Sequence, residues 1–391
     1  MTTQTVLLNK NASSFVPSVS APEKDELKDI DFDRGLVLTH FNDCNNFSPQ
    51  EVKDKRGVIT NLEGDLVCKS FSFIEEYTPY EIEKRPFLLT EDFKSLQFYE
   101  SHEGTIIRLY NYQNRWLLST HKKINAFKSR WGSRESFGQM FLNALISKYK
   151  LPDSRLSKTI ECENDDDIFD RYCDLLDPNL VYCFLIKNTL ENRIVCDSPD
   201  VPTILCLGIF DKTGKLLSLA DNKSFIPTPA ELTFKSSTEV LEYVNNIYYK
   251  KLQGVLVYKS DGNLFKILNM KYHELYNIRG NQPSLKFRYL QVRKQEDLVK
   301  KLISLYPYKE SRFEFYENNL RMLAQSIHSA YVKRFINKEY IILEKPQYAL
   351  MMTVHSKYLQ NGTKITPDLV YNTINDLEAS KLMSLLRSVA V

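Results

Sequence analysis

Seven cations, Arg108, Arg115, Lys122, Lys123, Lys128, Arg130 and Arg134, follow one another over 27 residues with no intervening Asp or Glu. Tyr110, Tyr112, Trp116, Phe127 and Trp131 are interleaved with them. Positive charge neutralises phosphates and aromatic faces stack on bases, so this strip has the chemistry of a polyanion surface. Some of those aromatics belong to a core, since alternate strand residues point inward. Charge of the opposite sign collects from Glu161 to Asp177, where eight acids face one Arg171. The consecutive carboxylates Asp165, Asp166 and Asp167 cannot all turn to one ion, and they suit a helix N-terminus instead. The seven cysteines are odd in number and never form CxxC, and the six histidines never form HxxxH, so no zinc or other metal site is expected. Cys183 and Cys206 sit in apolar runs, where a thiol acts as a small hydrophobe in a reducing, intracellular setting. His102 reads as a hydrogen-bonding turn residue, His121 as packing, and Lys94 as a solvated loop lysine.

Three local sequences recur in a fixed order. The first is Arg56-Gly57-Val58-Ile59, followed by a turn and Lys69-Ser70-Phe71-Ser72-Phe73. The second is Ser101-His102-Glu103-Gly104-Thr105-Ile106-Ile107-Arg108, with a turn before Trp116–Lys123. The third is Gln253-Gly254-Val255-Leu256-Val257-Tyr258, a turn, and Leu264-Phe265-Lys266-Ile267. Over residues 35–275 this ordered set resembles the nucleotidyltransferase core of the ATP-dependent RNA ligase family, phage T4 RNA ligase 1 type. The run from Ser119 to Trp131 resembles the RNA-ligase-like proteins of large DNA viruses. The resemblance implies a lysine in a Lys-x-Asp-Gly motif that attacks the α-phosphate of ATP. It also implies two glutamates for ribose and divalent metal, and a Lys-x-Lys pair for the triphosphate.

Residue by residue, this chain departs from that pattern at its charged positions. Ser101 stands at the nucleophile position, in Ser101-His102-Glu103-Gly104. Cys183, within Tyr182-Cys183-Phe184, and Gln253, before Gly254, stand at the carboxylate positions. One lysine of the last pair survives, in Lys266-Ile267-Leu268. Serine cannot form the phosphoramidate, so the expectation is a pseudo-ligase with no catalytic residue. The resemblance leaves a vestigial nucleotide site of Glu103, Gly104, Tyr182, Phe184 and Lys266. The RNA-binding set is Arg56, Arg108, Lys122, Lys123, Lys128 and Arg130.

The elements that must position these residues read as short strands up to about Met270. They include Gly57–Asn61, Leu66–Phe73, Gly104–Tyr112, Arg115–Thr120, Leu180–Ile186, Ile204–Phe210 and Gly254–Tyr258, several closed by Gly-Asp or Asp-Gly turns. Helices are expected at Phe137–Lys148, Asp166–Leu176 and Ser237–Lys250. Past Asn281-Gln282-Pro283 the apolar period turns helical, with Tyr316, Leu320, Leu323, Ile327 and Tyr331 at spacings of three or four. Thr366-Pro367-Asp368 marks a helix start. The expected fold is α+β: an RNA ligase-type nucleotidyltransferase core of antiparallel sheets with flanking helices, plus an all-helical C-terminal domain. The divisions are a flexible arm over 1–34, the core over 35–280 and the helical domain over 281–391.

Whole-chain properties set the outer limits. At about 150 residues per domain, 391 residues allow two or three domains. With 43% hydrophobic and 26% charged residues the chain is neither disordered nor collagen-like, and no apolar run reaches membrane-spanning length. A net charge of +3 says nothing about partners, which makes its segregation the informative quantity. Twelve glycines supply neither a GxxxxGK[ST] loop nor a GxGxxG opening a helix. The expected function is non-catalytic binding of RNA without sequence preference, or of a viral protein assembly, inside the cell or in a virion and away from membranes. No cofactor is expected. The alternatives are an active RNA ligase using ATP, Mg²⁺ and an unconventional lysine, and a structural component of the virion.

Overall fold

The computed structural model describes residues 27–389, except 91, 163, 218, 220 and 221. Most of the arm expected over 1–34 therefore lies outside the described residues. Its last part is corrected, because Leu27–Asp33 forms a strand, β1. A two-residue turn with positive φ at Arg34 and Gly35 folds it back on β2 (Leu36–Phe41). Paired turn residues of that hand match the twist of a hairpin. β3 (Val58–Asn61) and β4 (Leu66–Cys68) complete a four-stranded antiparallel sheet in the order β1-β2-β3-β4.

Two further sheets carry the site. β5 (Glu75–Tyr77), β6 (Gln97–Ser101), β11 (Glu231–Leu232), β12 (Gly254–Tyr258) and β13 (Leu264–Leu268) form one, in the order β11-β6-β12-β13-β5. Among the described residues its only parallel pair is β13 with β5. β7 (Gly104–Tyr112), β8 (Arg115–Ser119), β9 (Val181–Lys187) and β10 (Ile204–Phe210) form the other, in the order β10-β9-β7-β8. Gln113 and Asn114, both at positive φ, make the β7–β8 turn. Gly262 at φ 84° and the Asp261 carboxylate, which accepts from the Asn263 amide, shape the β12–β13 turn.

Helices cover the outer faces. α1 (Phe137–Tyr149) starts where the Ser136 hydroxyl accepts from the Gln139 amide, and α2 (Ile168–Asp174) follows the acidic turn Asp165–Asp167. Phe141 of α1 packs on Phe184, in a core that also holds Ile107, Leu109 and Tyr182. α3 (Ser237–Asn246) lays Val240 and Val244 on Val255, Val257 and Phe265. Between the sheets lies a third core with Leu38, Ile59, Tyr110, Cys183, Leu256 and Tyr258. The sheets thus stack face to face with helices outside, the arrangement that buries both faces of each central strand.

From residue 270 the chain is helical. α4 (Met270–Arg279), α5 (Leu285–Val292), α6 (Glu296–Leu305), α7 (Glu310–Tyr331), α8 (Lys345–Asn361), α9 (Pro367–Asn375) and α10 (Ala379–Val389) surround a fourth core. The expected stripe is its centre: Leu320, Leu323, Ile327 and Tyr331 are all buried. Thr366 caps α9 by accepting from the Leu369 amide, with Pro367 at the first helical position. The expected α+β class, with antiparallel sheets and a helical C-terminal region, is what the chain adopts.

Candidate functional site

The ends of β6 and β12 and the start of β7 meet at one place. Ser101 closes β6 and stands opposite Gly254, the first residue of β12. Gly104 opens β7 opposite Lys187 of β9. Both glycines are imposed by close backbone approach. A Cβ on Gly104 would lie 2.3 Å from the Ile186 carbonyl oxygen, and one on Gly254 1.9 Å from that of Ile267. The motif glycines therefore hold the strands together whatever chemistry their neighbours do.

The side chains between these glycines are sealed. Ser101 is fully buried, and the Gln253 amide donates to its Oγ and to the His102 carbonyl, both at 2.8 Å. His102 Nε2 lies 3.2 Å from Glu100, while its Nδ1 is buried without a partner. Burial, then Lys187 and Lys251, push its pKa down to about 3, so the ring is neutral. Nothing beside Ser101 prepares it as a nucleophile. Glu103 is equally occupied. Its carboxylate accepts from the backbone amides of Ile194, Val195 and Cys196, from Asn188 Nδ2 and from the Tyr272 hydroxyl. It anchors the 194–196 segment and α4, and its lone pairs are taken.

Around these groups opens a cleft of about 470 Å³. Its charged lining comes from separate elements: Arg56 before β3, Lys122 and Arg130 after β8, and Lys266 on β13, with Trp131 beside them. Lys122 and Arg130 are exposed. Lys266 reaches Glu76 of β5 at 2.8 Å, its register neighbour. Burial opposes the charge of Glu76, yet Lys266 and Arg56 outweigh it and hold its pKa below the usual carboxylate value. Arg56 donates to the Ser72 carbonyl, and burial lowers its pKa to about 10. His121, with Nε2 buried and unpartnered, is kept neutral by burial and by Arg56 and Arg108. Trp131 belongs to the aromatics expected along the basic strip, whereas Glu76 is not expected from the sequence. Glu76 carries no motif, and only the sheet register brings it to Lys266.

The structure brings together Arg56, Ser101, Glu103, Gly104, Lys122, Arg130, Gln253 and Lys266. Six other expected residues are buried elsewhere or paired with acids. Arg108, expected on the RNA surface, is fully buried and donates to the carbonyls of Gly57 and of Thr120, the latter at 2.6 Å. β7 is central in its sheet, and position 108 faces the inter-sheet interior. Lys123 pairs with Asp31 at 3.0 Å and Lys128 with Asp33 at 3.6 Å, so β1 supplies the acids that the local sequence lacks. Tyr182 and Phe184 do not line the cleft; they point to the α1 side of β9, where Phe184 meets Phe141 and Tyr182 meets Trp116. Cys183 points the other way into the inter-sheet core, and burial pushes its thiol pKa up.

The resemblance implies ATP and a divalent metal, and the residues present do not fit the metal. Cys183 is buried away from the cleft and Gln253 is an amide. Of the cleft carboxylates, Glu76 is bound to Lys266 and Glu103 is saturated. Among the described residues no three His, Cys, Asp or Glu side chains converge as an ion site. No described helix is long and apolar enough to cross a membrane.

No family model matches the chain. It is 29% identical over 345 residues to an immediate-early protein ICP-46 homolog of Invertebrate iridescent virus 6, covering 84% of this chain and 73% of the relative. It is 26% identical over 297 residues to the homolog of Invertebrate iridescent virus 3, and 26% over 211 residues to immediate-early protein ICP-46 of Frog virus 3. The matches span 61% and 50% of those two relatives. Among solved structures, a putative ATP-dependent DNA ligase from Aquifex aeolicus overlaps 85% of each chain at 14% identity, with a TM-score of 0.40. An archaeal ATP-dependent RNA ligase overlaps 71% of this chain and 72% of its own, at 11% identity and 0.38. Naegleria gruberi RNA ligase overlaps 47% of this chain and 52% of its own, at 12% identity and 0.32. These are distant likenesses of shape, and nothing about chemistry follows from them.

Proposed function

We propose that this protein is a pseudo-ligase of a large DNA virus: a nucleotidyltransferase-type scaffold without lysyl-adenylate chemistry, which binds RNA non-specifically across its cleft. One observation carries the reading. The ordered motif positions converge on one cleft whose nucleophile position is a buried serine stapled by Gln253, while Arg56, Lys122, Arg130 and Lys266 ring the opening. Lysyl-AMP formation needs an unprotonated amine in line with the α-phosphate and a counter-charge for pyrophosphate. Ser101 offers a hydroxyl without a base, and Lys266 is already held by Glu76. What remains is a positive rim carried by the exposed Lys122 and Arg130, which suits phosphates and confers little sequence preference. Vestigial nucleotide contacts shrink to the Gly104 backbone and Lys266, and the working site is inside the infected cell.

Two measurements test this. Incubation with radiolabelled ATP and Mg²⁺ or Mn²⁺, then denaturing electrophoresis, should give no labelled protein, and Ser101→Lys alone should not restore it. A labelled lysine in the unaltered protein would make the chain an active ligase. In a shift assay, RNA affinity should fall steeply with salt, and Lys122→Ala with Arg130→Ala should weaken binding to all sequences about tenfold. Equal binding by that variant and the parent would leave the cleft as a protein-assembly surface.

A further inference from the structure

A second hollow, of about 270 Å³, opens where the helical region meets the sheets. It shares walls with the cleft: Trp131 lines the cleft and Gly132 the hollow, as do Asn281 and Pro283 on the facing segment. Lys286, Lys309 and Arg312 line it, and none forms an ion pair among the described residues. Two of these cations rest over aromatic rings, Lys286 Nζ 5.0 Å from the Tyr316 ring centre and Lys309 Nζ 5.3 Å from that of Tyr308. Nearer the cleft, Arg279 lies over Trp131 at 5.5 Å. An aromatic face holds a cation in place without neutralising it, whereas a carboxylate cancels the charge it binds. Of the acids nearby, Glu191 also lines the hollow, where it accepts from the Ser133 hydroxyl and its charge is felt by Lys309, while Asp197 pairs with Arg193. Tyr308 is 42% exposed at the mouth.

We propose that this hollow is a second nucleic-acid site, which takes the single-stranded segment leaving the cleft past Trp131: phosphates on Lys286, Lys309 and Arg312, a base on Tyr308. It rests on the cleft reading for the first part of the path. The combination of three cations without ion pairs and a part-exposed aromatic side chain favours a nucleic acid over an acidic peptide, which has charges to pair but no bases to stack.

The test uses the full chain, two fluorescein-labelled single-stranded RNAs of about 5 and about 20 nucleotides, and salt titrations. The triple variant Lys286→Ala, Lys309→Ala and Arg312→Ala should bind the longer RNA about tenfold more weakly. It should reduce the log–log salt slope by about 2, at roughly 0.7 per phosphate, and leave the short RNA unaffected. Unchanged binding of the longer RNA overturns the second site. That outcome leaves the cleft reading intact, because only loss of effect in the Lys122→Ala and Arg130→Ala variant removes the cleft. Competition by polyglutamate as effective as RNA of equal charge would overturn the nucleic-acid assignment in favour of an acidic peptide. A 4-thiouridine cross-link from the longer RNA to Tyr308 in the unaltered protein reads the path without any substitution, and its absence counts against the site.

Discussion

The floor of the cleft and the hollow beside α5 and α7 are both rich in cations, but their charges are held differently. Arg108, buried beneath the floor, is spent on two backbone carbonyls, while in the lining Arg56 donates to a third and Lys266 pairs with Glu76. In the hollow, Lys286 and Lys309 lie over rings and form no ion pair among the described residues. Buried donors that satisfy carbonyls build a scaffold; cations propped on aromatics stay available to a ligand. A count of Lys and Arg along the chain does not separate the two, because the separation is made by what sits opposite each head group.

The sharpest way to break this contrast is at the floor. Gly254→Ala would press a Cβ onto the Ile267 carbonyl at a central strand pair, and roughly 3 kcal/mol or more of stability should be lost in denaturant unfolding. Next, Arg108→Met should cost about 3 kcal/mol, since the carbonyls of Gly57 and Thr120 lose their buried donors. If Arg108→Met unfolds like the parent and weakens RNA binding instead, the floor is a binding surface and the contrast fails.

Titration sharpens it further. Burial leads in lowering His40 to about 4 and His102 to about 3, and it also lowers His121 well below its ordinary value. The unfolded chain then binds more protons than the folded one below about pH 6.5, so stability is full above that pH and falls as the solution is acidified toward 4 and 3. Each histidine adds up to about 1.4 kcal/mol per pH unit to that slope. Urea midpoints between pH 7 and pH 4 measure it, and a flat profile would mean these histidines are not held neutral. The smallest effect belongs to β1. Lys123→Ala should change stability by less than about 1 kcal/mol, with the interaction isolated in a double-mutant cycle with Asp31→Asn. RNA affinity of Lys123→Ala should match the parent; a tenfold loss would return Lys123 to the binding set.

The hairpins were legible in the sequence because their signals are local. Gln113-Asn114 and Asp261-Gly262 mark turns between aromatic and β-branched runs, and the register follows from loop length. The α7 stripe was legible for the same reason, one face at helical spacing. The side of β9 was not. From Val181 to Ile186 every residue is buried, so no polar alternation tells which of Tyr182 or Cys183 turns toward the neighbouring sheet. The basic strip misled because its acids come from Asp31 and Asp33, some ninety residues earlier, on a strand with few apolar residues of its own. The hollow gathers Gly132 with residues from 190–193, 279–286 and 306–316, segments far apart in the chain that only packing brings together.

The Glu103 carboxylate has a consequence for how the molecule comes apart. It gathers donors from β9's following loop, from the 194–196 segment and from α4, and Val195 and Cys196 continue directly into the helical core beside Leu268 and Tyr272. A chain cut after residue 280 would expose that apolar surface while leaving the carboxylate in place beneath it. The sheets next to Glu103 and the helices after it are therefore expected to unfold together. Amide exchange at Ile194, Val195 and Cys196 should be as slow as in the α7 core, opening only when both halves open.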